Sequence, residues 1–124
     1  MRMNWQKLMK SFGYAIQGII DLLRYEQNAR IHFVFATFVV IVAYLLGVTY
    51  LEAAILFFAI ALVFVVEIIN SIIEKLLDVV HPQNHRLIAY IKDAMAGATL
   101  LSALIAAVIG LSIFFPYLAR LVRP

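Results

Sequence analysis

Apolar and polar positions run along this chain in four blocks of different rhythm. Between residues 5 and 27 (WQKLMKSFGYAIQGIIDLLRYEQ), Trp5, Leu8, Met9, Phe12, Ile16, Ile19, Ile20 and Leu23 recur at helical spacing, with Lys7, Lys10, Gln17, Asp21 and Arg24 elsewhere around the wheel. That rhythm predicts an amphipathic helix lying in a membrane surface, its Trp and basic groups at headgroup level. Residues 31–49 (IHFVFATFVVIVAYLLGVT) then lose the polar face and predict a first span. The stretch is long enough for a hydrocarbon layer of about 30 Å. Gly47 and the VTYLE segment mark a tight turn, and residues 51–78 predict a second span. The segment VVHPQNHRLIAYI (79–91) predicts the one clear loop, with Pro82 and Asn84 as breakers. A third span is predicted from Lys92 to about Phe115 (92–115), ended by Pro116. Within it Ala94, Ala96, Gly97, Ala98, Thr99, Ser102 and Ala103 are small residues of the sort that let membrane helices approach closely. The fold class expected is an all-α membrane protein, one amphipathic surface helix plus three transmembrane helices, with residues 1–124 as a single domain.

Composition sharpens this picture. Hydrophobic residues make up 65% of the 124 and charged residues 14%, against roughly 45–50% and about 25% in ordinary soluble domains. So small a chain cannot hide that much apolar surface within itself, so the bilayer must be its solvent. The absence of cysteine excludes disulfides, thiol chemistry and cysteine-based metal sites. A formal net charge of +3 is mild and is no nucleic-acid signal; the N-terminal basic residues read as anchors to anionic headgroups. The first 30 residues lack the pattern of a cleavable signal peptide. Arg2, Lys7, Lys10, Arg24 and Arg30 precede the first span, and Lys75, Arg86 and Lys92 flank the second loop. Positive charge therefore predicts that the N-terminus and the 79–91 loop are cytoplasmic and the C-terminus outside, although Arg120 and Arg123 run against the rule.

Candidate chemistry lies where polar residues break the oiliest stretch. After AAILFFAIALVFVV (53–66) come Glu67, Asn70, Glu74 and Asp78. At helical spacing all four fall within an arc of about 80° and span about 16 Å. Ionisable groups at membrane depth are expensive and normally face a bundle interior or a polar site. Two further clusters should meet this stripe at the same membrane surface: Glu26, Asn28, Arg30 and His32 before the first span, and Lys92–Asp93 with Gly97 at the start of the last. Glu26 and Glu74 suit Mg²⁺, which takes oxygen ligands and often shares them with substrate phosphates. A lysine near a helix N-terminus is a natural phosphate partner. Glu67 is the deepest acid, and a carboxylate partly stripped of water is the kind of base that accepts a hydroxyl proton. Plainer readings stand beside these: a polar seam that sets helix register, a solvated acid at Glu26, and a headgroup anchor with a helix cap at Lys92–Asp93. His32, His81 and His85 taken singly are uninformative.

The run EIINSIIEKLLD (67–78) followed by KDAMAGATLL (92–101) closely resembles the signature of the bacterial integral-membrane diacylglycerol kinase family, roughly E-[IL]-x-N-[ST]-A-I-E-x-x-x-D and K-D-x-x-A-G-A-V-L. The upstream patterns K-x-x-x-S-F-x-Y-A-x-x-G at 7–18 and E-x-N-x-R-I-H at 26–32 match as well, so the resemblance covers nearly the whole chain. It implies a homotrimer in the bacterial cytoplasmic membrane, with the site between neighbouring subunits, phosphorylating a lipid alcohol with ATP and Mg²⁺. On that resemblance Glu67 is the general base, and Glu26 and Glu74 carry the metal. Asn70, Lys92, Asp93, Lys7 and His85 contact nucleotide and phosphate, with Asp78, Arg30 and Gly97 in support. Ile69 and Ile72 depart from the signature on a packed or lipid-facing side. His32 stands where the diacylglycerol-specific branch carries an acid, which favours undecaprenol over diacylglycerol as acceptor. From a different class, an ion or proton translocator would need polar groups reaching both membrane faces, yet the outer halves of all three spans are almost wholly apolar.

Overall fold

The computed structural model describes residues 4–80 and 86–122, all of them helical apart from caps and joints. Four helices follow in chain order: α1 (Trp5–Tyr25), α2 (Gln27–Leu46), α3 (Tyr50–Val80) and α4 (Arg86–Val122). The last three are long and apolar enough to cross a membrane.

Each boundary has a local cause. Asn4 opens α1, its side chain accepting from the Lys7 backbone N–H at 3.1 Å. α1 stops at Tyr25, two residues short of the expected end, because Glu26 swings into extended backbone (φ −99°, ψ 121°). Arg30 then reaches back, Nη1 donating to the Arg24 carbonyl at 2.9 Å, and satisfies one of the carbonyls that a helix end leaves open. α2 therefore starts at Gln27, four residues before the expected span. It ends at Gly47, whose φ of 63° lets its N–H turn back to the Ala43 and Tyr44 carbonyls. Thr49 and Glu52 form a reciprocal capping box at the head of α3. The Glu52 carboxylate accepts from the Thr49 N–H and hydroxyl, both at 2.8 Å, while the Glu52 N–H donates to Thr49 Oγ1 at 3.3 Å.

The last helix departs most from expectation. α4 begins at Arg86, six residues ahead of Lys92, and runs through Pro116 to Val122 instead of stopping there. The proline costs the one N–H that would have bonded the Ser112 carbonyl. Stopping would free several backbone groups in a lipid setting that offers no water. The turn beyond it is also tied down, since Tyr117 donates its hydroxyl to Glu52 Oε2 at 2.6 Å. Of the expected 79–91 loop, residues 79–80 belong to α3 and 86–91 to α4, while residues 81–85, His81 and His85 among them, lie outside the described residues.

α3 and α4 pack antiparallel as the main pair of the bundle. Their register is held at one end by Asp78–Lys92 and at the other by Glu52–Tyr117. Glu52 and Asp78 lie about 39 Å apart along α3, so the two clasps flank a hydrocarbon layer of about 30 Å. The buried face of α3 is one line at helical spacing: Leu56, Ala59, Val63, Glu67, Asn70 and Ser71. α4 meets it with Thr99, Ser102 and Gly110, and Ala29 and Leu22 close the end near the α1–α2 joint. Large apolar side chains such as Phe33, Phe57, Phe58 and Leu104 point outward, as a lipid solvent requires. Between α2, α3 and α4 lies a half-open apolar cavity of about 520 Å³.

Candidate active site

Glu67 is the most deeply buried acid, 1% exposed, on the face of α3 that packs into the bundle. Three turns of uninterrupted apolar helix precede it, so its depth is set by where that oily run must end. One turn on, Asn70 is 4% exposed and donates from Nδ2 to Glu74 Oε1 at 3.3 Å. Glu74 is half-buried, and Asp78 at the end of the line is exposed. The four residues thus grade from core to surface along one face.

Two lysines bracket this line. Lys92 Nζ lies 2.6 Å from Asp78 Oδ1 and brings the first turns of α4 against the polar end of α3. Lys75 Nζ lies 2.6 Å from Glu26 Oε1, so the carboxylate at the α1–α2 joint is held against α3. Lys75 follows Glu74 directly on α3, so this ion pair sets Glu26 against the same turn of α3 that carries Glu74.

Three oxygens here are buried and find no hydrogen-bond partner: Glu67 Oε2, Asn70 Oδ1 and Thr99 Oγ1. Buried polar atoms are normally paired, and leaving one unpaired costs about 1–3 kcal/mol. Unpaired oxygens suit either a hydroxyl donor or a hard cation. Among the described residues, no group of three or more His, Asp or Glu gathers to hold a metal. Mg²⁺ needs only one or two carboxylates when phosphates complete its shell, a demand that Glu74 and Glu26, both half-buried, match in kind.

Not every candidate meets the others within one chain. Asp93 and Gly97 lie on the exposed side of α4, away from Thr99 and Ser102, and a Cβ at Gly97 would touch nothing within 4 Å. Lys7 is exposed near the start of α1, about 28 Å along the helix from Glu26. Arg30 caps α1 instead of pointing into the acid cluster. His85 lies outside the described residues.

Sequence reasoning missed Lys75 as the partner of Glu26, and it grouped Thr99 with the small packing residues. The spacing of Lys92, Met95, Thr99 and Ser102 at three, four and three carried a signal for the second, because it sets Thr99 on the same side of α4 as Lys92. The apolar cavity begins one turn beyond these oxygens: Val63 and Phe64 precede Glu67 on α3, Ala103 follows Thr99 on α4, and Ile31 and His32 close it from α2. The unpaired oxygens thereby lie next to one end of the apolar cavity.

The family model described as prokaryotic diacylglycerol kinase matches residues 13–114. An undecaprenol kinase of Bacillus subtilis (strain 168) is 36% identical over 117 residues, covering 94% of this chain and 95% of that protein. A diacylglycerol kinase of Synechocystis sp. is 33% identical, covering 94% and 69%, and one of Escherichia coli (strain K12) is 33% identical, covering 86% of each. No solved structure gives a significant match.

Proposed function

The chain belongs to the prokaryotic diacylglycerol kinase family of lipid kinases, and from that premise we propose that it transfers the γ-phosphate of ATP to the hydroxyl of a membrane lipid alcohol, undecaprenol in preference to diacylglycerol. The observation that carries the reading is the union of a buried carboxylate, Glu67, with an apolar cavity one turn away. An acceptor with a hydroxyl at one end and a hydrocarbon chain behind it matches that shape.

Glu67 accepts the proton of the lipid hydroxyl as its oxygen bonds to the γ-phosphorus, and the bond to the bridging oxygen of ADP breaks. Lys92, steered by Asp78, faces the phosphates and offsets charge that develops during transfer. Asn70 holds Glu74 in place. Glu74 and Glu26 are the carboxylates for Mg²⁺, which when bound neutralises phosphate charge. Glu26 must first let go of Lys75 or share its carboxylate with it. Catalysis of this kind is mostly positioning and electrostatics.

Asp93, Gly97 and Lys7, with His85, are assigned to nucleotide and phosphate contacts or their support, and in one chain the first three stand away from Glu67. They act with it only if neighbouring copies supply them, which supports a homotrimer with sites between subunits. α1 lies in the inner membrane surface, its apolar residues Trp5, Met9, Phe12 and Ile16 open to lipid. The N-terminus and the 79–91 segment face the cytoplasm, where ATP is present. His32, which lines the cavity, and the match to the Bacillus subtilis protein over 95% of its length favour a polyprenol acceptor.

Radiolabelled ATP offered with undecaprenol and diacylglycerol in mixed micelles tests this directly. Label is expected in polyprenyl phosphate, with diacylglycerol the weaker acceptor. Equal or reversed labelling overturns the lipid preference, and no labelling of either overturns the reaction.

A further inference from the structure

Resting on the lipid-alcohol reading above, we propose that Thr99 is a further substrate-binding residue whose hydroxyl holds the acceptor oxygen of the lipid alcohol beside Glu67. A helical Ser or Thr ordinarily donates to a carbonyl three or four residues back. Other residues of this chain do so: Ser11 to Lys7, Thr37 to Phe33, Ser102 to Thr99 and Ser112 to Val108, at 2.7–3.1 Å. Thr99 does not, although it is only 8% exposed and its Oγ1 is cut off from solvent. A hydroxyl buried in this way is costly unless a partner meets it.

The register of the helix pair says where that hydroxyl is. With Lys92 beside Asp78, Thr99 comes level with Ser71, next to Asn70 and about 6 Å along the axis from Glu67. The three unpaired oxygens, Glu67 Oε2, Asn70 Oδ1 and Thr99 Oγ1, therefore belong to residues within about 6 Å of one another along the helix axes. Two of them only accept hydrogen bonds when Glu67 is ionised; Thr99 can also donate. A phosphate would bring more acceptors and negative charge to that set. An alcohol is complementary, its O–H donating to Glu67 and its oxygen accepting from Thr99. The apolar cavity, entered past Ala103 and Val63, supplies room for the chain behind the hydroxyl.

The test compares T99V and T99S with the wild type as full-length protein in mixed micelles, using a short-chain prenol and dioctanoylglycerol as acceptors. T99V is expected to lose about tenfold in kcat/KM for the alcohol, the effect of one lost hydrogen bond, with KM for ATP unchanged and T99S close to wild type. Loss with the prenol alone assigns the contact to a polyprenol; loss with both assigns it to the shared hydroxyl. Unchanged kcat/KM with both acceptors overturns the proposal. Thermal unfolding supplies a readout that needs no turnover. The prenol should raise the unfolding temperature of wild type more than that of T99V, and equal shifts overturn the contact. Should the wild type phosphorylate neither lipid, the kinase reading fails while this binding comparison still judges Thr99.

Discussion

At the scale of single residues, the chain concentrates its unpaired buried oxygens on Glu67, Asn70 and Thr99. Glu67 is an acid with almost no solvent contact, and a change confined to its charge should expose its role. Glu67→Gln keeps shape and volume, so the fold should persist by circular dichroism. Transfer of label from ATP should fall by a factor of about 10² or more, the range of a lost general base. Wild-type turnover in that variant would remove Glu67 from the base role. Lys75 is the subtler case. Its pair with Glu26 is largely open to solvent on the lysine side, and such pairs are worth at most about 1 kcal/mol. Lys75→Met should thus hardly move the unfolding midpoint. It should instead lower the Mg²⁺ concentration needed for half-maximal activity, because Glu26 is released; an unchanged Mg²⁺ titration would count against Glu26 as a ligand. The stripe of Glu67, Asn70, Glu74 and Asp78 was legible from spacing alone, since periodicity decides which side chains share a face. Thr99 and Lys75 were not, because what distinguishes them is a partner missing or present on another helix.

At the scale of elements, termini do the positioning. Gly47 ends α2 in left-handed backbone, and no atom lies within 4 Å of where its Cβ would be. Gly47→Ala should therefore cost about 1–2 kcal/mol from backbone strain alone, with no steric addition. Reversible unfolding in mixed micelles would measure it. A cost near zero would mean that the turn relaxes into another conformation. Across the bundle, Tyr117 joins the turn after Pro116 to the capping box of α3. Tyr117→Phe removes one hydroxyl and should lower the unfolding midpoint while kcat stays close to wild type, since the site lies at the other end of α3. Helix existence was readable from apolar periodicity. The break at Glu26 and the passage through Pro116 were not, because each depends on a bond from elsewhere: Arg30 folding back on Arg24, and Glu52 receiving Tyr117.

At the scale of the whole molecule, one chain carries two separate sets of candidate residues. Glu67, Asn70, Glu74 and Lys92 gather on the inner side of the α3–α4 pair, and Asp93 and Gly97 look outward. The proposed sharing of sites between copies predicts complementation. Mixing subunits that carry Glu67→Gln with subunits that carry Asp93→Asn should restore about a quarter of wild-type activity, since random assembly reunites intact halves in that fraction of sites. No recovery on mixing would place each site within one chain. Gly97→Leu, placed on an open face, should leave the monomer folded and weaken association, read by cross-linking in micelles.

The order of residues by itself determined that this protein lives in lipid, that four helices form, and that Glu67 and Asn70 share a buried face. Those follow from composition and from a period of about 3.6, which are properties of the chain. Tertiary structure alone decided that Tyr117 would join the capping box of α3, that Lys75 would hold Glu26, and that the Thr99 hydroxyl would be buried without a partner close to the level of Asn70. Such facts depend on the axial register between helices, which Asp78–Lys92 and Glu52–Tyr117 set and which no local pattern encodes.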